Sequence, residues 1–119
     1  MTQKKTYRIN QVNRLLQEEI AKIVLTEMQD ERTNDVAITE VRTSKDLKHA
    51  VVFVSTHIRD EAMDRVQLLQ QSANYIRKTL FQRLRLKHIP ELTFKYDESL
   101  ESAERIFRAL EEIDLGKEE

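Results

Sequence analysis

The chain has 119 residues, which fits one domain with an ordinary hydrophobic core and is too small for a two-domain enzyme. It has no cysteine, which excludes disulfides, thiolate metal sites and a cysteine nucleophile, so a cytoplasmic location is expected. The net charge is −1, but residues 77–90 hold five basic and no acidic residues, and residues 97–119 hold three basic and nine acidic ones. This division predicts a cationic face and an anionic tail.

The first part of the chain predicts one helix followed by a hairpin. A helix is predicted over residues 8–28, where apolar residues recur at intervals of three and four: Ile9, Val12, Leu16, Ile20 and Ile23. The polar residues 29–35 form a predicted loop. Two runs rich in β-branched residues, 36–43 and 49–57, then predict an antiparallel pair joined by a turn without glycine.

A long second helical region follows. Asp60 is its predicted N-cap, and apolar residues keep a helical spacing as far as Pro90. This length favours a break, which we place at Ser72, Ala73 and Asn74 because Ser and Asn compete for backbone hydrogen bonds. Asn74 is the residue expected to adopt a positive φ there, since Asn enters the left-handed region more readily than most residues.

The last part of the chain predicts a strand and a helix. Residues 91–96 alternate apolar and polar side chains, which is typical of a half-buried strand. Asp97 and Ser99 are N-cap candidates for a helix over about 98–113, and the acidic tail, residues 114–119, is expected to be disordered. The whole order predicts one α+β domain, residues 1–119, with helices covering one face of a three-stranded sheet and a helix added at the C-terminus.

The residue types give no support to enzymatic chemistry. A single glycine excludes Gly-rich phosphate and dinucleotide loops and the G-x-S-x-G elbow. Three histidines lie far apart in sequence, so neither a metal site nor a general base with a partner is expected. No apolar run reaches the roughly 18 residues that span a bilayer. We therefore expect a soluble chain with no membrane partner that is not an enzyme and that carries no cofactor or metal.

The basic segment has two interpretations. It could be only the solvent face of an amphipathic helix, as charge runs often are. Nucleic-acid binding is favoured instead by the lack of acidic partners at i,i+4 spacing and by a second cluster, Lys4, Lys5 and Arg8. The aromatic residues Phe81, Phe94 and Tyr96 are expected in the core and add nothing to this choice. Charge alone leaves both interpretations open.

Three stretches give the sequence a family resemblance. LRLKHIPELTFKYDESLE, SKDLKHAVVFVS upstream of it and YRINQVNRLLQEEIAKIV near the start resemble ribosome-binding factor A, the bacterial 30S assembly factors, over about residues 6–110. The resemblance implies a type-II KH-like domain, with its core at about residues 7–97 and the order helix, strand, strand, helix, kink, helix, strand. It also implies binding to 16S rRNA of free or immature 30S subunits, a role in late maturation including 5′-end processing of 16S rRNA, and growth in the cold.

The resemblance also supplies the expected site. Members of the family lack the G-x-x-G loop of RNA-binding KH domains and kink the helix pair at Ala-x-Gly, where this chain has Ser72, Ala73 and Asn74. The expected rRNA contacts, made mainly to phosphates, are Arg77, Lys78, Arg83, Arg85 and Lys87, with Arg8 and Lys45 as weaker matches. A monomer is expected, and a ribosome-associated GTPase that releases it is a further partner left open.

A second hypothesis comes from a different class of function. The predicted C-terminal helix carries an apolar stripe from Leu100 to Leu110, which could dock a partner helix in a protein-interaction module. Steep salt dependence would favour RNA over this alternative, because only phosphate neutralisation releases counterions.

Overall fold

The computed structural model describes residues 2–99 and 107–111. The helices and strands follow in the order α1 (Thr2–Thr26), β1 (Val36–Thr43), β2 (His49–Thr56), α2 (Ala62–Gln71), α3 (Ala73–Arg83) and β3 (Glu91–Tyr96). Two short 3-10 turns lie in the connections, Glu31–Thr33 between α1 and β1 and Arg59–Glu61 between β2 and α2. The predicted bounds of β1 and β3 are confirmed, and β2 ends one residue earlier than predicted. Helix α1 begins six residues earlier than predicted and ends two residues earlier.

A mixed sheet with the order β1-β2-β3 forms the centre of the fold. β1 and β2 are antiparallel, with Val41 opposite Val52, and β2 and β3 are parallel, with Val52 opposite Phe94. A parallel neighbour requires a crossover, which α2 and α3 provide. The predicted α+β fold is confirmed, and the order of its elements fits the KH-like domain that the resemblance implies.

The core lies between the three helices and one face of the sheet. Every second residue of β2 and β3 is buried, because side chains of a strand alternate between its faces. These strand residues meet the apolar stripes of α1 and α3, whose fully buried members are Leu16, Ile20, Ile23, Ile76 and Leu80. Burial of each such side chain contributes about 1.5–3 kcal/mol.

Side-chain amides of α1 satisfy backbone groups of the edge strand β1. The N–H of Thr43 donates to Asn13 Oδ1 at 3.0 Å. Gln17 Nε2 donates to the carbonyls of Ile38 and Thr39, each at 3.2 Å, at the point where a bulge shifts the register of β1. These two polar residues therefore help to hold α1 on the sheet in a fixed orientation.

The opposite edge strand, β3, is met by a side chain of α2 in the same way. Gln70 Nε2 donates to the carbonyl of Leu92 at 3.1 Å, and Gln70 Oε1 accepts from the N–H of Phe94 at 2.9 Å. One side-chain amide thus takes the place of a neighbouring strand, because it offers the same donor and acceptor as a peptide group.

The helical region breaks at Ser72, within the segment where the sequence places the break. Ser72 has φ −92° and ψ 2°, and its Oγ donates to the carbonyl of Leu68 at 3.0 Å. The expected role of Asn74 is wrong, because Asn74 lies within α3 and only Gln29 and Leu47 have a positive φ among the described non-glycine residues. The serine therefore makes the break with a backbone conformation between the helical and extended regions and without a positive φ.

Two other boundaries differ from prediction. The residue that precedes α2 is Glu61, and Asp60 lies in the 3-10 turn before it, so Asp60 is not the N-cap. The helix does not continue to Pro90, because α3 ends at Arg83 and Leu84 is extended, with φ −108° and ψ 145°. Residues 84–90 form a connecting segment in which half-buried Leu84 and Leu86 alternate with exposed residues.

The C-terminal helix is described in part. Asp97 Oδ1 accepts from the N–H of Ser99 at 3.0 Å, as an N-cap carboxylate does, and residues 98–99 and 107–111 are helical. Residues 100–106 and 112–119, including the tail expected to be disordered, lie outside the described residues. In the described part of the chain, no helix combines the length and apolar character that a membrane crossing requires.

Candidate nucleic-acid interface

A groove of about 750 Å³ collects basic residues from four parts of the fold. We call it the basic groove and define it by its cationic members from α1, the end of the hairpin, α3 and residues 84–90: Arg8, Lys48, Arg77, Arg85 and Lys87. Two histidines, His49 and His88, also line it, and its apolar surface comes from Val12, Leu47, Leu86, Ile89 and Pro90. Such a mixture suits a polyanion that also carries flat apolar groups.

The parallel pairing of β2 with β3 builds this groove. It places His49 opposite Glu91, and the N–H of Glu91 donates to the carbonyl of Lys48 at 2.8 Å. The end of the hairpin therefore lies beside the segment that leads into β3. Lys48 is a site candidate that the sequence analysis does not predict. Its one sequence signal is its place directly before a predicted strand, and the parallel pairing of that strand with β3 brings it to the groove.

The acidic residues of the groove are fewer than the basic ones. Its lining includes two carboxylates, Asp46 and Glu91, against five Lys and Arg side chains. The hydroxyl of Ser44, at 2.6 Å, and the N–H of Lys48, at 3.0 Å, hydrogen-bond the Asp46 carboxylate and lower its pKa. Asp46 therefore stays ionised and shapes the turn, and the groove keeps a net positive charge.

Arg77 has a structural task within the groove. Its half-buried guanidinium donates from Nε to the carbonyl of Pro90 and from Nη2 to the carbonyl of Ile89, both at 3.0 Å. These bonds tie α3 to the segment before β3 and satisfy two carbonyls that belong to no strand ladder. Arg77 therefore fixes the shape of the groove and leaves the more exposed cations to meet a ligand.

Arg83 lies away from the groove. Its guanidinium forms ion pairs with two carboxylates of α1, Glu19 at 3.6 Å and Glu27 through a short contact. The sequence shows no acidic partner for the basic segment because these partners are more than fifty residues away in the chain. Arg83 therefore joins α3 to α1 while its side chain stays 33% exposed.

Reversal of Arg83 should therefore lower stability. Arg83→Glu would place three carboxylates together at the contact of α1 with α3, and we expect a loss of about 1–2 kcal/mol in the free energy of unfolding. Urea unfolding followed by circular dichroism measures it. Arg85→Glu is the matched control, because Arg85 is exposed and should leave the midpoint unchanged. Equal losses in both variants would contradict the structural role of Arg83.

The remaining candidates differ in position. Lys78 is exposed on α3 and lines a shallow depression of about 370 Å³ beside the groove. Asn74 lines the same depression, whereas Ala73 is buried in the core. Lys45 is exposed in the hairpin turn but does not line the basic groove. The rRNA contacts expected of these basic residues remain predictions.

The aromatic residues do not all lie where the sequence predicts. Phe94 is buried, at 3% exposure, and Tyr96 is half-buried, but Phe81 is 61% exposed. Phe81 follows Ile76 by five residues and Leu80 by one, so it lies off the buried stripe of α3, whose members are three or four residues apart. Among the described residues, no group of three or more His, Asp or Glu side chains is placed to hold a metal ion.

Comparisons with known proteins agree with this structure. The family profile for Ribosome-binding factor A matches residues 8–110. The Ribosome-binding factor A of Thermomicrobium roseum is 42% identical over 111 residues, which cover 91% of this chain and 84% of that protein. The Ribosome-binding factor A of Halothermothrix orenii is 37% identical over 110 residues, which cover 92% of this chain and 90% of that protein.

A crystal structure and a homology model fitted into a cryo-EM map share the fold. The crystal structure of ribosome-binding factor A from Thermus thermophilus has a TM-score of 0.67 and 22% identity, over 74% of this chain and 94% of that chain. A homology model of the Thermus thermophilus protein, fitted into a cryo-EM map of a 30S complex, has a TM-score of 0.60 and 22% identity, over 71% of this chain and 90% of that chain. The fold, the family profile and the relatives agree, and this chain belongs to the ribosome-binding factor A family.

Proposed function

We propose that this chain is a ribosome assembly factor that binds free or immature 30S subunits through 16S rRNA, with the basic groove on the RNA. The observation that carries the proposal is the convergence of five Lys and Arg side chains from separate elements on one groove. Family membership supports the ribosome as the target, and a relative has been fitted into a 30S complex. The absence of a G-x-x-G sequence favours recognition through phosphates and RNA shape.

The test is co-sedimentation of the purified chain with separate 30S, 50S and 70S particles at about 50 mM and about 200 mM salt. Association with 30S alone, weaker at the higher salt, is the expected result, because each phosphate that a cation neutralises releases counterions. Absence from 30S at both salt concentrations would reject the proposal.

The proposal extends to late maturation of the small subunit. It includes 5′-end processing of 16S rRNA, growth in the cold, action as a cytoplasmic monomer and release by a ribosome-associated GTPase, all supported by family membership alone. A strain that lacks the gene should accumulate 16S rRNA with an unprocessed 5′ end at low temperature, and the wild-type gene should reverse this. Normal processing in the deletion strain would reject this part of the proposal.

A second candidate function is favoured by the C-terminal segment. Phe107 and Leu110 lie in a helical stretch and are 67% and 52% exposed. A partner protein that covers such residues would bind through apolar contacts, whose strength depends little on salt. Association with 30S that is insensitive to salt and is lost when Phe107 and Leu110 are both changed to Ser would favour this function.

A further inference from the structure

Phe81 is an exposed aromatic residue in cationic surroundings. Its side chain is 61% exposed, although the core of α3 is already formed by Ile76 and Leu80, both fully buried. The ring therefore does not serve the packing of the helix on the sheet. An exposed phenyl ring offers an apolar face on which an aromatic group can stack and so remove both surfaces from water.

The depression that Phe81 lines adjoins the basic groove. Four residues line both: Arg77, Lys87, His88 and Ile89. The other members of the depression are Asn74, Lys78 and Phe81, all exposed on α3. A strand whose phosphates follow the cations of the groove would thus pass directly beside the ring.

We propose that Phe81 stacks on an unpaired base of single-stranded RNA whose phosphates follow the basic groove. This rests on the proposed function and names the form of RNA that the site accepts. A base in a duplex has both faces covered by its neighbours, so only an unstacked base can meet the ring. Lys78 lies beside the ring to contact a phosphate, and the Asn74 amide offers a donor and an acceptor to a base edge.

The surrounding charge favours RNA over an apolar protein partner. Lys78, Arg77 and Lys87 line the depression with Phe81, and none of the described residues that line it carries a carboxylate. Protein hydrophobic contacts avoid such a concentration of one charge in the centre of an interface. Tyr75, on the same helix, is 49% exposed but lines neither the depression nor the groove, and it therefore serves as the matched control.

The experiment measures binding of a fluorescent single-stranded RNA and of a blunt duplex of the same length. We expect Phe81→Leu to weaken single-strand binding about tenfold, which is typical of the loss of one stacked base. Phe81→Tyr should keep wild-type affinity because its ring still stacks, and Tyr75→Leu should have no effect. The slope of affinity against salt should be unchanged in Phe81→Leu, since no phosphate contact is lost.

A second readout reports stacking directly. The fluorescence of 2-aminopurine in the single strand should be quenched by the wild-type chain and by Phe81→Tyr, but not by Phe81→Leu. Because Phe81 is exposed, all these variants should have the thermal midpoint of the wild type, which circular dichroism checks.

The outcomes separate the two proposals. Full affinity and full quenching in Phe81→Leu, together with weak binding by Arg85→Glu, would reject the stacking proposal and leave the proposed function intact. If Phe81→Leu bound RNA normally but no longer associated with 30S subunits, Phe81 would contact a ribosomal protein instead of a base. This outcome would also reject stacking. Failure of the wild-type chain to bind either RNA or 30S would reject both proposals.

Discussion

Reversal of three groove charges, Lys48→Glu, Arg85→Glu and Lys87→Glu together, should weaken binding to 30S subunits by about a hundredfold at physiological salt. Each phosphate contact on a single strand contributes about 0.7 to the slope of log affinity against log salt, so three lost contacts should lower the slope by about 2. Repulsion from the new carboxylates adds to this loss. Titration with labelled protein at several salt concentrations measures both quantities.

This variant should fold normally. Lys48, Arg85 and Lys87 are exposed, and in the described part of the chain none of their side chains forms a hydrogen bond or an ion pair. Arg83 is left unchanged because its reversal would disturb the contact with α1. The control is a pair of single reversals. Lys95→Glu changes an exposed lysine of β3 that does not line the groove, and Arg85→Glu changes an exposed arginine that does. Equal losses of binding from these two single reversals would mean that net charge, rather than the groove, determines affinity.

Removal of the buried Arg65 should lower the free energy of unfolding by about 3 kcal/mol and the melting temperature by about 10 °C. Arg65 is 8% exposed and donates from Nη2 to Glu61 at 2.6 Å and from Nε to Asp35 at 3.3 Å. The Thr56 hydroxyl also donates to Asp35, so one cluster joins α2 to the two hairpin strands. In Arg65→Ala, Asp35 keeps its partial burial and loses its cation.

Calorimetry and urea unfolding measure this loss. The control is Arg32→Ala, because Arg32 pairs with Asp30 on the surface and should have little effect. If Arg65→Ala were as stable as Arg32→Ala, the cluster would not join α2 to the hairpin. In an Asp35→Asn background the effect of Arg65→Ala should be smaller, since the charge that needs a partner has been removed.

The same cluster determines how the effect of Arg65→Ala depends on pH. Burial raises the pKa of Asp35, but the hydrogen bond from Thr56 and the charge of Arg65 outweigh it and hold the pKa below its ordinary value. A carboxyl with a lowered pKa in the folded state stabilises the protein above its unfolded pKa and loses that contribution as pH falls. The stability difference between wild type and Arg65→Ala should therefore shrink below about pH 4.

The sequence predicts the sheet well because its strands differ in composition from the helices. The bounds of β3 follow from the alternation of apolar and polar residues, since one of its faces lies on the core. The bounds of β1 follow from its β-branched residues, because a bulge between Ile38 and Glu40 interrupts its alternation. The break at Ser72 follows from local hydrogen bonding and is also accessible from sequence. The end of α3 differs from the prediction because a helical period carries the helix through LRLK, residues 84–87, whereas the alternation of apolar and basic residues there is typical of an extended segment.

The candidate site is less accessible from sequence because tertiary contacts divide its residues. Arg77, Arg83 and Arg85 look equivalent along the chain, yet one braces the segment before β3, one pairs with α1 and one is exposed in the groove. Lys48 joins the site only through the parallel pairing of β2 with β3. No local pattern distinguishes these roles, since each depends on a partner distant in the sequence.

The side-chain amides at both edges of the sheet have a consequence for association between chains. An edge strand with free peptide groups is a template on which a strand of another protein can extend the sheet. Here Asn13 and Gln17 bond to backbone groups of β1, and Gln70 bonds to β3, so both edges already have internal partners. Addition of a strand from another chain at these positions would have to break those hydrogen bonds, which opposes aggregation through the sheet edges.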